Sequence, residues 1–318
     1  MRQLFVINPN AGKGLNVQAV HQEIEQIMAT RADDWEIKVT EKPGDAMEYA
    51  KEAADRAEET EVPVRIYAMG GDGTLNEIVN GAAGRDHVEI ACCPMGSGND
   101  FVKAFGKDTW MFRDLKALVE GESYPLDLID CNGRLSINIC SVGFDARIGL
   151  EQAMYKNLPM VTGKGAYLIS AVSNIIKGIH RHYRLEVDGK QLEGDYTLIA
   201  ACNGQWYGGS FHPAPDAVLD DGLLDFLVVE RVSRFTVASL IGKYANGRGK
   251  DYPDLIHIYR GKELKVMCDR MSMVNIDGER VDAISLSFKV SAKKVNVIVP
   301  AGHPWKPSNV RKEEILAE

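Results

Sequence analysis

One short segment of the chain combines three glycines with a carboxylate and a hydroxyl. Residues 70–77 read Gly-Gly-Asp-Gly-Thr-Leu-Asn-Glu and directly follow the apolar run 64–69. This order predicts a buried strand, a glycine turn and the start of a helix. Glycines let a backbone approach an anion closely, and the N–H groups of a helix N-terminus attract phosphate. The residues predicted to bind nucleotide phosphates are therefore Gly70, Gly71, Gly73 and Thr74.

Asp72 lies inside the same turn, where a carboxylate would repel a bare phosphate. A cation between the two groups removes this repulsion, and Mg²⁺ prefers carboxylate and phosphate oxygens. We therefore expect Asp72 to hold a catalytic magnesium ion, directly or through water. The combination indicates phosphoryl transfer from a nucleotide. A tight strand–helix connection is the plainer alternative, and a glycine pair alone would favour it.

The elements that must position this turn alternate between strand and helix patterns. Strand patterns cover residues 4–7, 35–39, 64–69 and 88–93, and helical patterns begin near Val17, at Asp45 and after Thr74. Such alternation predicts a mostly parallel sheet covered by helices on both faces. Ligands of these sheets bind beyond the carboxyl ends of the strands. Three loops are predicted there, at residues 8–14, 70–74 and 94–100.

The pattern changes near residue 124 to short strands separated by turn signals such as Asp277-Gly278. An antiparallel β-sandwich domain is predicted over residues 125–294, with one helix over 164–177. The first domain is expected to comprise residues 1–124 and the tail from about 295 to 318. A chain of 318 residues accommodates two such domains.

Composition and charge narrow the class of protein. Hydrophobic residues make up 45% of the chain and charged residues 26%, which is typical of a soluble globular protein. The formal net charge of −8 argues against nucleic acid as a partner. No apolar run approaches the ~18 residues of a membrane-spanning helix. The six cysteines lack metal-ligand spacing, so a cytoplasmic protein with reduced cysteines is expected.

Several further motifs occur in an order that resembles the diacylglycerol kinase catalytic family, which includes bacterial soluble lipid kinases and sphingosine kinases. They are Asn-Pro-Asn-Ala-Gly at 8–12, the glycine turn itself, Pro-Met-Gly-Ser-Gly-Asn-Asp-Phe at 94–101, Gly-Phe-Asp-Ala at 143–146, Asp-Asp-Gly-Leu-Leu-Asp at 220–225 and Asp-Gly-Glu at 277–279. Nicotinamide dinucleotide kinases and phosphofructokinases share the glycine turn, but the opening motif and the Asn-Glu pair favour the lipid kinase branch. Ser97, Lys103 and Ser210 depart from the family's usual Thr, Arg and Gly.

The resemblance implies a three-layer α/β nucleotide-binding domain like that of NAD kinase and phosphofructokinase, followed by the β-sandwich. It also extends the predicted nucleotide site to Asn8, Asn10, Gly12, Lys13, Thr40, Glu77, Gly96, Ser97, Gly98 and Asn99. Lys13 could equally be an ordinary exposed loop lysine. Asp127 is implied to support the catalytic magnesium, although from its own neighbours it would be taken for a carboxylate at the start of a strand.

The resemblance assigns a further role to the Asp-Gly-Glu motif. Asp-Gly between strands is a strong hairpin signal on its own. The family places its proposed general base here, so we expect Asp277 to act as base, with Glu279 supporting it or the metal. A second, structural magnesium is implied at Asp216, Asp220, Asp221 and the carbonyl of Leu223, with a solvated turn as an equal alternative.

Together these features predict an ATP- and magnesium-dependent lipid kinase, most simply one that converts diacylglycerol to phosphatidic acid. Other lipid alcohols, such as a sphingoid base or phosphatidylglycerol, remain open. So do a soluble-substrate kinase such as NAD kinase and a nucleotide-binding regulator without turnover. Transient membrane contact is expected, with a basic cluster at 177–184 as one candidate surface, and exposed strand edges would allow a homodimer.

Overall fold

The computed structural model describes residues 1–12, 14–144, 146–147, 179–209 and 211–310, with only the backbone of Ala238. The predictions made for Lys13, Asp145, Ser210 and the helix over 164–177 lie outside these residues. Two compact units divide the chain. The first comprises residues 1–128, 219–221 and those from 291 onward, and the second comprises 129–218 and 222–290.

The described part of the chain contains fifteen strands and five helices, numbered in chain order. The strands are β1 (Arg2–Ile7), β2 (Asp34–Val39), β3 (Val64–Gly70), β4 (Val88–Pro94), β5 (Glu122–Leu126), β6 (Ile129–Cys131), β7 (Arg134–Ser136), β8 (Ile139–Gly143), β9 (Arg181–Val187), β10 (Lys190–Cys202), β11 (Leu224–Glu230), β12 (Ile256–Gly261), β13 (Glu263–Ile276), β14 (Glu279–Val290) and β15 (Val295–Val299). The helices are α1 (Val17–Met28), α2 (Asp45–Thr60), α3 (Asp72–Ala82), α4 (Leu115–Val119) and α5 (Arg234–Ala245). Three short 3₁₀ helices cover Phe101–Phe105, Thr109–Arg113 and Gly249–Asp251.

The first unit is built on a six-stranded sheet in the order β2-β1-β3-β4-β15-β5. All its pairs are parallel except β15 with β5. Every residue of β3 is buried, as expected for a central strand with both faces covered. Phe5 of β1 stacks on Tyr67 of β3 with ring centroids 4.3 Å apart. The Tyr67 hydroxyl donates a hydrogen bond to the side chain of Gln3 at 2.7 Å, so this buried polar atom is satisfied.

The second unit contains a nine-stranded sheet in the order β12-β11-β10-β8-β13-β14-β6-β7, and β9 pairs with both β10 and β13. Its strand pairs are antiparallel. The fully buried aromatic rings of Tyr183, Phe226 and Phe288 belong to its core. The predicted organisation, an α/β domain with a parallel sheet followed by a β-rich domain, is confirmed.

The change from one unit to the next lies between two short strands, because β5 ends at Leu126 in the first unit and β6 begins at Ile129 in the second. Helix α5 was not predicted. Its apolar residues do not form one stripe, and Phe235 points to solvent while Leu240 and Tyr244 are half-buried, so helical periodicity gives little signal. No helix in the described part of the chain is long and apolar enough to cross a membrane.

Helix α2 begins at Asp45, as predicted, but the side chain of Asp45 does not cap the helix. Asp45 instead accepts hydrogen bonds from the backbone N–H groups of Glu41 and Lys42, at 2.8 and 3.0 Å. These bonds stabilise its charged form and lower the pKa of the carboxyl. The N–H groups of Gly44 and Ala46 donate to the two carboxylate oxygens of Glu77 at 3.0 and 3.2 Å. The cap is therefore supplied by α3.

Candidate active site

Three loops at the carboxyl ends of β1, β3 and β4 form a cleft of about 310 Å³ in the first unit. The cleft is lined by Asn8, Asn10, Ala11, Gly12, Gly71, Asp72, Gly73, Thr74, Gly96, Ser97 and Gly98. Every lining residue except Ala11 belongs to the set predicted to bind nucleotide or metal. Ala11 lies within the predicted loop at 8–14, and its motif could have included it.

The loops approach each other so closely that only glycine fits at their contacts. A Cβ atom on Gly96 would lie 2.5 Å from the Cα of Gly71. A Cβ atom on Gly12 would lie 2.8 Å from the carbonyl oxygen of Met95, and the positive φ of Gly12, 64°, also favours glycine. The N–H groups of Met95 and Gly96 both donate to the carbonyl of Gly70, at 2.7 and 3.1 Å. Backbone contacts therefore set the spacing of the loops.

Asn8 connects the first loop to the helix that begins at Asp72. Its side-chain amide donates to the hydroxyl oxygen of Thr74 at 3.1 Å, and its Oδ1 accepts from the N–H of Asn10 at 3.0 Å. Because the Thr74 oxygen acts as acceptor in this bond, its hydroxyl proton can be donated elsewhere. Thr74 lies in the first turn of α3, where a side-chain hydroxyl can donate to an anion beside the N-terminal N–H groups of the helix.

Asp72 lies in the first turn of α3 and is held by a neighbouring segment. Its Oδ1 accepts from the backbone N–H groups of Asp100 and Phe101, at 2.7 and 3.3 Å. The carboxylate of Asp100 is in turn paired with the Lys103 ammonium at 2.6 Å. Magnesium in nucleotide sites is usually held by one or two carboxylates together with substrate phosphates. A single fixed carboxylate in this cleft fits that arrangement, so Asp72 is the residue that would hold the ion.

Asp277 lies in the second unit, in the tight turn that joins β13 to β14. Asp277 and Gly278 both have positive φ, 50° and 95°, as a two-residue hairpin of type I′ requires. Its carboxylate accepts four hydrogen bonds from the segment between β7 and β8. The donors are the Ser136 hydroxyl at 2.7 Å and the N–H groups of Ile137, Ile139 and Asn138 at 2.8, 2.9 and 3.2 Å.

Glu279 is two residues further along and has different surroundings. Its side chain is 54% exposed, and Oε2 lies 4.0 Å from the guanidinium of Arg134, which is also exposed. The carboxylate of Asp277 therefore stabilises the segment 136–139 by hydrogen bonds, whereas the carboxylate of Glu279 is largely exposed. The two acidic residues of the Asp-Gly-Glu motif are chemically distinct.

An apolar pocket of about 90 Å³ lies elsewhere in the second unit. Its walls come from β10, β11, α5 and the segment around Tyr207 and Phe211, and include Leu198, Val229, Val237, Leu240, Ile241 and Tyr244. This lining suits a hydrocarbon chain rather than a charged or strongly polar group.

Comparison with known proteins identifies the family. The diacylglycerol kinase catalytic domain matches residues 2–131, and the YegS C-terminal NAD kinase beta sandwich-like domain matches residues 138–299. A Pseudomonas aeruginosa protein described as a probable lipid kinase, YegS-like, is 30% identical over 293 residues, covering 90% of this chain and 93% of the relative. The chain belongs to the diacylglycerol kinase catalytic family.

Two further proteins described as diacylglycerol kinases match nearly the whole length of this chain. A diacylglycerol kinase of Staphylococcus carnosus is 26% identical and aligns over 100% of this chain and 99% of its own length. The crystal structure of a diacylglycerol kinase from Bacillus anthracis superimposes with a TM-score of 0.71, covering 95% of this chain and 98% of the other. At 21% identity, that superposition shows a shared fold.

Among the residues that the family resemblance suggested for metal binding, Asp127 has a different partner. It is 1% exposed, and its Oδ1 lies 2.9 Å from the ammonium of Lys294. A buried carboxylate needs a compensating charge, and the lysine supplies one. Asp127 does not line the cleft. Asp127 therefore forms an ion pair within the first unit, and the metal-supporting role that the resemblance implies for it stays a prediction.

The residues expected to hold a second magnesium ion also have protein partners. The Asp216 carboxylate pairs with the Lys250 ammonium. Asp220 accepts a hydrogen bond from the N–H of Ser308 at 2.7 Å. Asp221 and the Leu223 carbonyl complete the predicted set, but no three His, Cys, Asp or Glu residues in the described part of the chain form a group suited to a metal. The second magnesium site stays a prediction.

Four described residues of the predicted nucleotide set do not line the cleft, namely Thr40, Gly70, Glu77 and Asn99. Asn99, with φ of 49°, accepts from the N–H of Gly96 at 2.9 Å and donates to the same residue's carbonyl at 2.7 Å. Thr40 donates its N–H to the carbonyl of Ile7 at 2.9 Å. Glu77 caps α2 as described above. These contacts position the loops whose backbone lines the cleft.

Proposed function

We propose that the protein is an ATP- and magnesium-dependent lipid kinase that transfers the γ-phosphate of ATP to the hydroxyl of diacylglycerol, giving phosphatidic acid. Family membership supports kinase chemistry, and the cleft around Asp72 supports a nucleotide phosphate chain. The observation that carries a lipid acceptor, rather than a soluble dinucleotide, is the apolar pocket of the second unit. An acyl chain matches its lining, whereas the polar faces of a dinucleotide do not.

The phosphate chain would be bound mainly by backbone groups. The N–H groups at the N-terminus of α3 and the Thr74 hydroxyl would donate hydrogen bonds to phosphate oxygens. Asn8 holds the Thr74 hydroxyl in the orientation that this requires. Magnesium, when held by Asp72, supplies neutralisation of phosphate charge during transfer. The closely packed glycines keep these donors at fixed positions, which lowers the cost of orienting the nucleotide.

We assign the proton transfer to Glu279, and we assign a positioning role to Asp277. During transfer, the bond between the γ-phosphorus and the bridging oxygen of ATP breaks and a bond from the acceptor oxygen to phosphorus forms. The acceptor hydroxyl loses its proton, and a general base takes it. A carboxylate that already accepts four hydrogen bonds has few lone pairs left for this task. Glu279 is 54% exposed, and the Arg134 guanidinium lies 4.0 Å from it, so its carboxylate supports the role of base better.

The proposal is tested by incubating the protein with γ-labelled ATP, magnesium and a total bacterial lipid extract in detergent micelles. Label that enters the organic phase and migrates as phosphatidic acid would support a diacylglycerol kinase. Another labelled lipid would retain the lipid kinase and change the acceptor. Label confined to soluble dinucleotides would overturn the lipid acceptor in favour of a soluble-substrate kinase.

A further inference from the structure

A basic segment runs through α5 and its flanks, from residue 231 to residue 250. It contains Arg231, Arg234, Lys243, Arg248 and Lys250 and no aspartate or glutamate, in a chain whose formal net charge is −8. Three of these cations have acidic partners: Arg231 pairs with Asp195, Arg248 with Asp251 and Lys250 with Asp216.

Arg234 and Lys243 differ from the other three cations. Neither has a carboxylate partner among the residues that the structure describes, and the Lys243 ammonium is placed instead beside the ring and hydroxyl of Tyr252. Both belong to α5, one at each end. The helix therefore presents uncompensated positive charge to solvent, in contrast to the acidic chain as a whole.

Phe235 makes the same surface apolar. It is 89% exposed, the most exposed of the large hydrophobic side chains in the described part of the chain. Elsewhere on α5, Val237, Leu240 and Ile241 line the apolar pocket. Helix α5 thus lines the pocket with apolar side chains and exposes the Phe235 ring to solvent. Arg234 and Lys243 lie on the same helix as that ring. An exposed aromatic ring with exposed cations on either side can contact both the acyl chains and the phosphates at a bilayer surface.

By contrast, two members of the basic cluster predicted for headgroup contact, His182 and Arg184, lie beside carboxylates. His182 lies between Glu193 and Asp195, and the hydrogen bonds with these two carboxylates raise the pKa of its imidazole. Arg184 lies 3.9 Å from Glu193. Arg181 donates to the hydroxyl of Ser272. Acidic neighbours on this surface would repel an anionic bilayer, so α5 is the better candidate.

We propose that α5 docks the protein on an anionic phospholipid bilayer, with Phe235 inserted among the acyl chains and Arg234 and Lys243 at the lipid phosphates. The placement of an acyl chain in the pocket rests on the proposed function. The positive charge of α5 and the exposure of Phe235 do not depend on that function. Docking through this helix would bring the pocket that the helix lines next to the source of the lipid.

The test is cosedimentation with vesicles of phosphatidylglycerol and phosphatidylcholine in equal parts, compared with pure phosphatidylcholine vesicles. The wild-type protein is expected to bind the mixed vesicles and to lose binding as salt is added. Phe235→Ser is expected to weaken binding about tenfold, because a buried aromatic side chain returns to water. Arg234→Glu should weaken it selectively on the anionic vesicles. The control is Trp110→Ser, which removes a 64% exposed aromatic residue of the first unit and should bind like wild type.

Several results would overturn the docking surface. They are wild-type protein that stays in the supernatant, Phe235→Ser that binds like wild type, and Trp110→Ser that loses as much binding as Phe235→Ser. Turnover of dispersed dioctanoylglycerol separates the two proposals, because it requires no bilayer. Phe235→Ser should keep this turnover. If the protein binds vesicles but phosphorylates no lipid, the docking surface is supported and the lipid kinase proposal is rejected. If it phosphorylates dioctanoylglycerol but does not bind vesicles, the lipid kinase proposal is supported and the docking surface is rejected.

Discussion

Among single residues, the two carboxylates of the Asp-Gly-Glu motif have different surroundings, and this difference supports different roles for them. Asp277 accepts four hydrogen bonds from the segment 136–139, and Glu279 is exposed. The same segment continues into a buried network. Asn138 donates to the carbonyl of Trp206 at 2.6 Å, and Asn203 donates its side-chain N–H to Ile137 at 2.8 Å. Asp277 therefore supports the loop that begins at Asn203.

We predict that Glu279→Gln lowers kcat by about 10²–10⁴-fold without changing the melting temperature, because a general base is lost and few contacts are. Asp277→Ala should instead lower the free energy of unfolding by about 3 kcal/mol, because buried N–H groups lose their acceptor. Steady-state kinetics and urea denaturation measure the two effects. A stable Asp277→Ala protein without turnover, together with an active Glu279→Gln protein, would restore Asp277 as the base.

Glu77 gives a second prediction at this scale. Glu77→Ala should lower the free energy of unfolding by about 1 kcal/mol, because the first N–H groups of α2 lose their cap. Urea denaturation without nucleotide measures this loss, and Glu59→Ala on the exposed surface of α2 serves as the control. Unchanged stability with a raised KM for ATP would mean that Glu77 contacts the nucleotide directly.

At the scale of elements, the cleft depends on how closely the strand ends bring their loops together. Gly96→Ala would place a methyl group 2.5 Å from the Cα of Gly71 and so separate the two loops. We predict roughly a hundredfold fall in kcat/KM for ATP, since a displacement of about 1 Å can cost that much. Gly242→Ala, where nothing lies within 4 Å of the added carbon, should leave this constant unchanged. Similar kinetics for both variants would contradict the close-packed cleft.

The stability of the fold should depend on pH through the Asp45 carboxyl group in the turn before α2. Backbone hydrogen bonds lower the pKa of Asp45 in the folded protein. A lowered folded-state pKa stabilises the fold above the unfolded-state pKa of about 3.9, and this contribution is lost as pH falls through the folded-state value. Wild type should therefore exceed Asp45→Asn in stability at pH 6, with the difference shrinking below about pH 4. Urea denaturation at pH 6 and pH 3 checks this, and a difference independent of pH would exclude it.

Features formed by residues close together in the chain were predicted from the sequence, whereas contacts between distant residues were not. The loops at 8–14, 70–74 and 94–100 were predicted because glycines and strand ends lie within a few residues of each other. The pairing of Asp127 with Lys294 and the hydrogen bonds of Asp277 to 136–139 were not, because their partners are far apart in the chain. Helix α5 was missed because it has apolar side chains on more than one side, and packing rather than periodicity determines it.

At the scale of the whole molecule, the chain combines two compact units with different chemistry. The first has a polar cleft of backbone N–H groups, amides and one carboxylate. The second has an apolar pocket, a base candidate in a hairpin turn and a basic helix with an exposed aromatic residue. A kinase that takes a phosphate from a soluble nucleotide and an acceptor from a bilayer needs both kinds of surface.

The most direct measurement supplies γ-labelled ATP, magnesium and equal concentrations of dioctanoylglycerol and NAD to one sample, and separates organic and aqueous products. We predict label in the organic phase that migrates as phosphatidic acid, and none in a phosphorylated dinucleotide. We also predict that Glu279→Gln loses the organic product under the same conditions. Label in the dinucleotide, with an unlabelled organic phase, would contradict the claim that this chain is a lipid kinase.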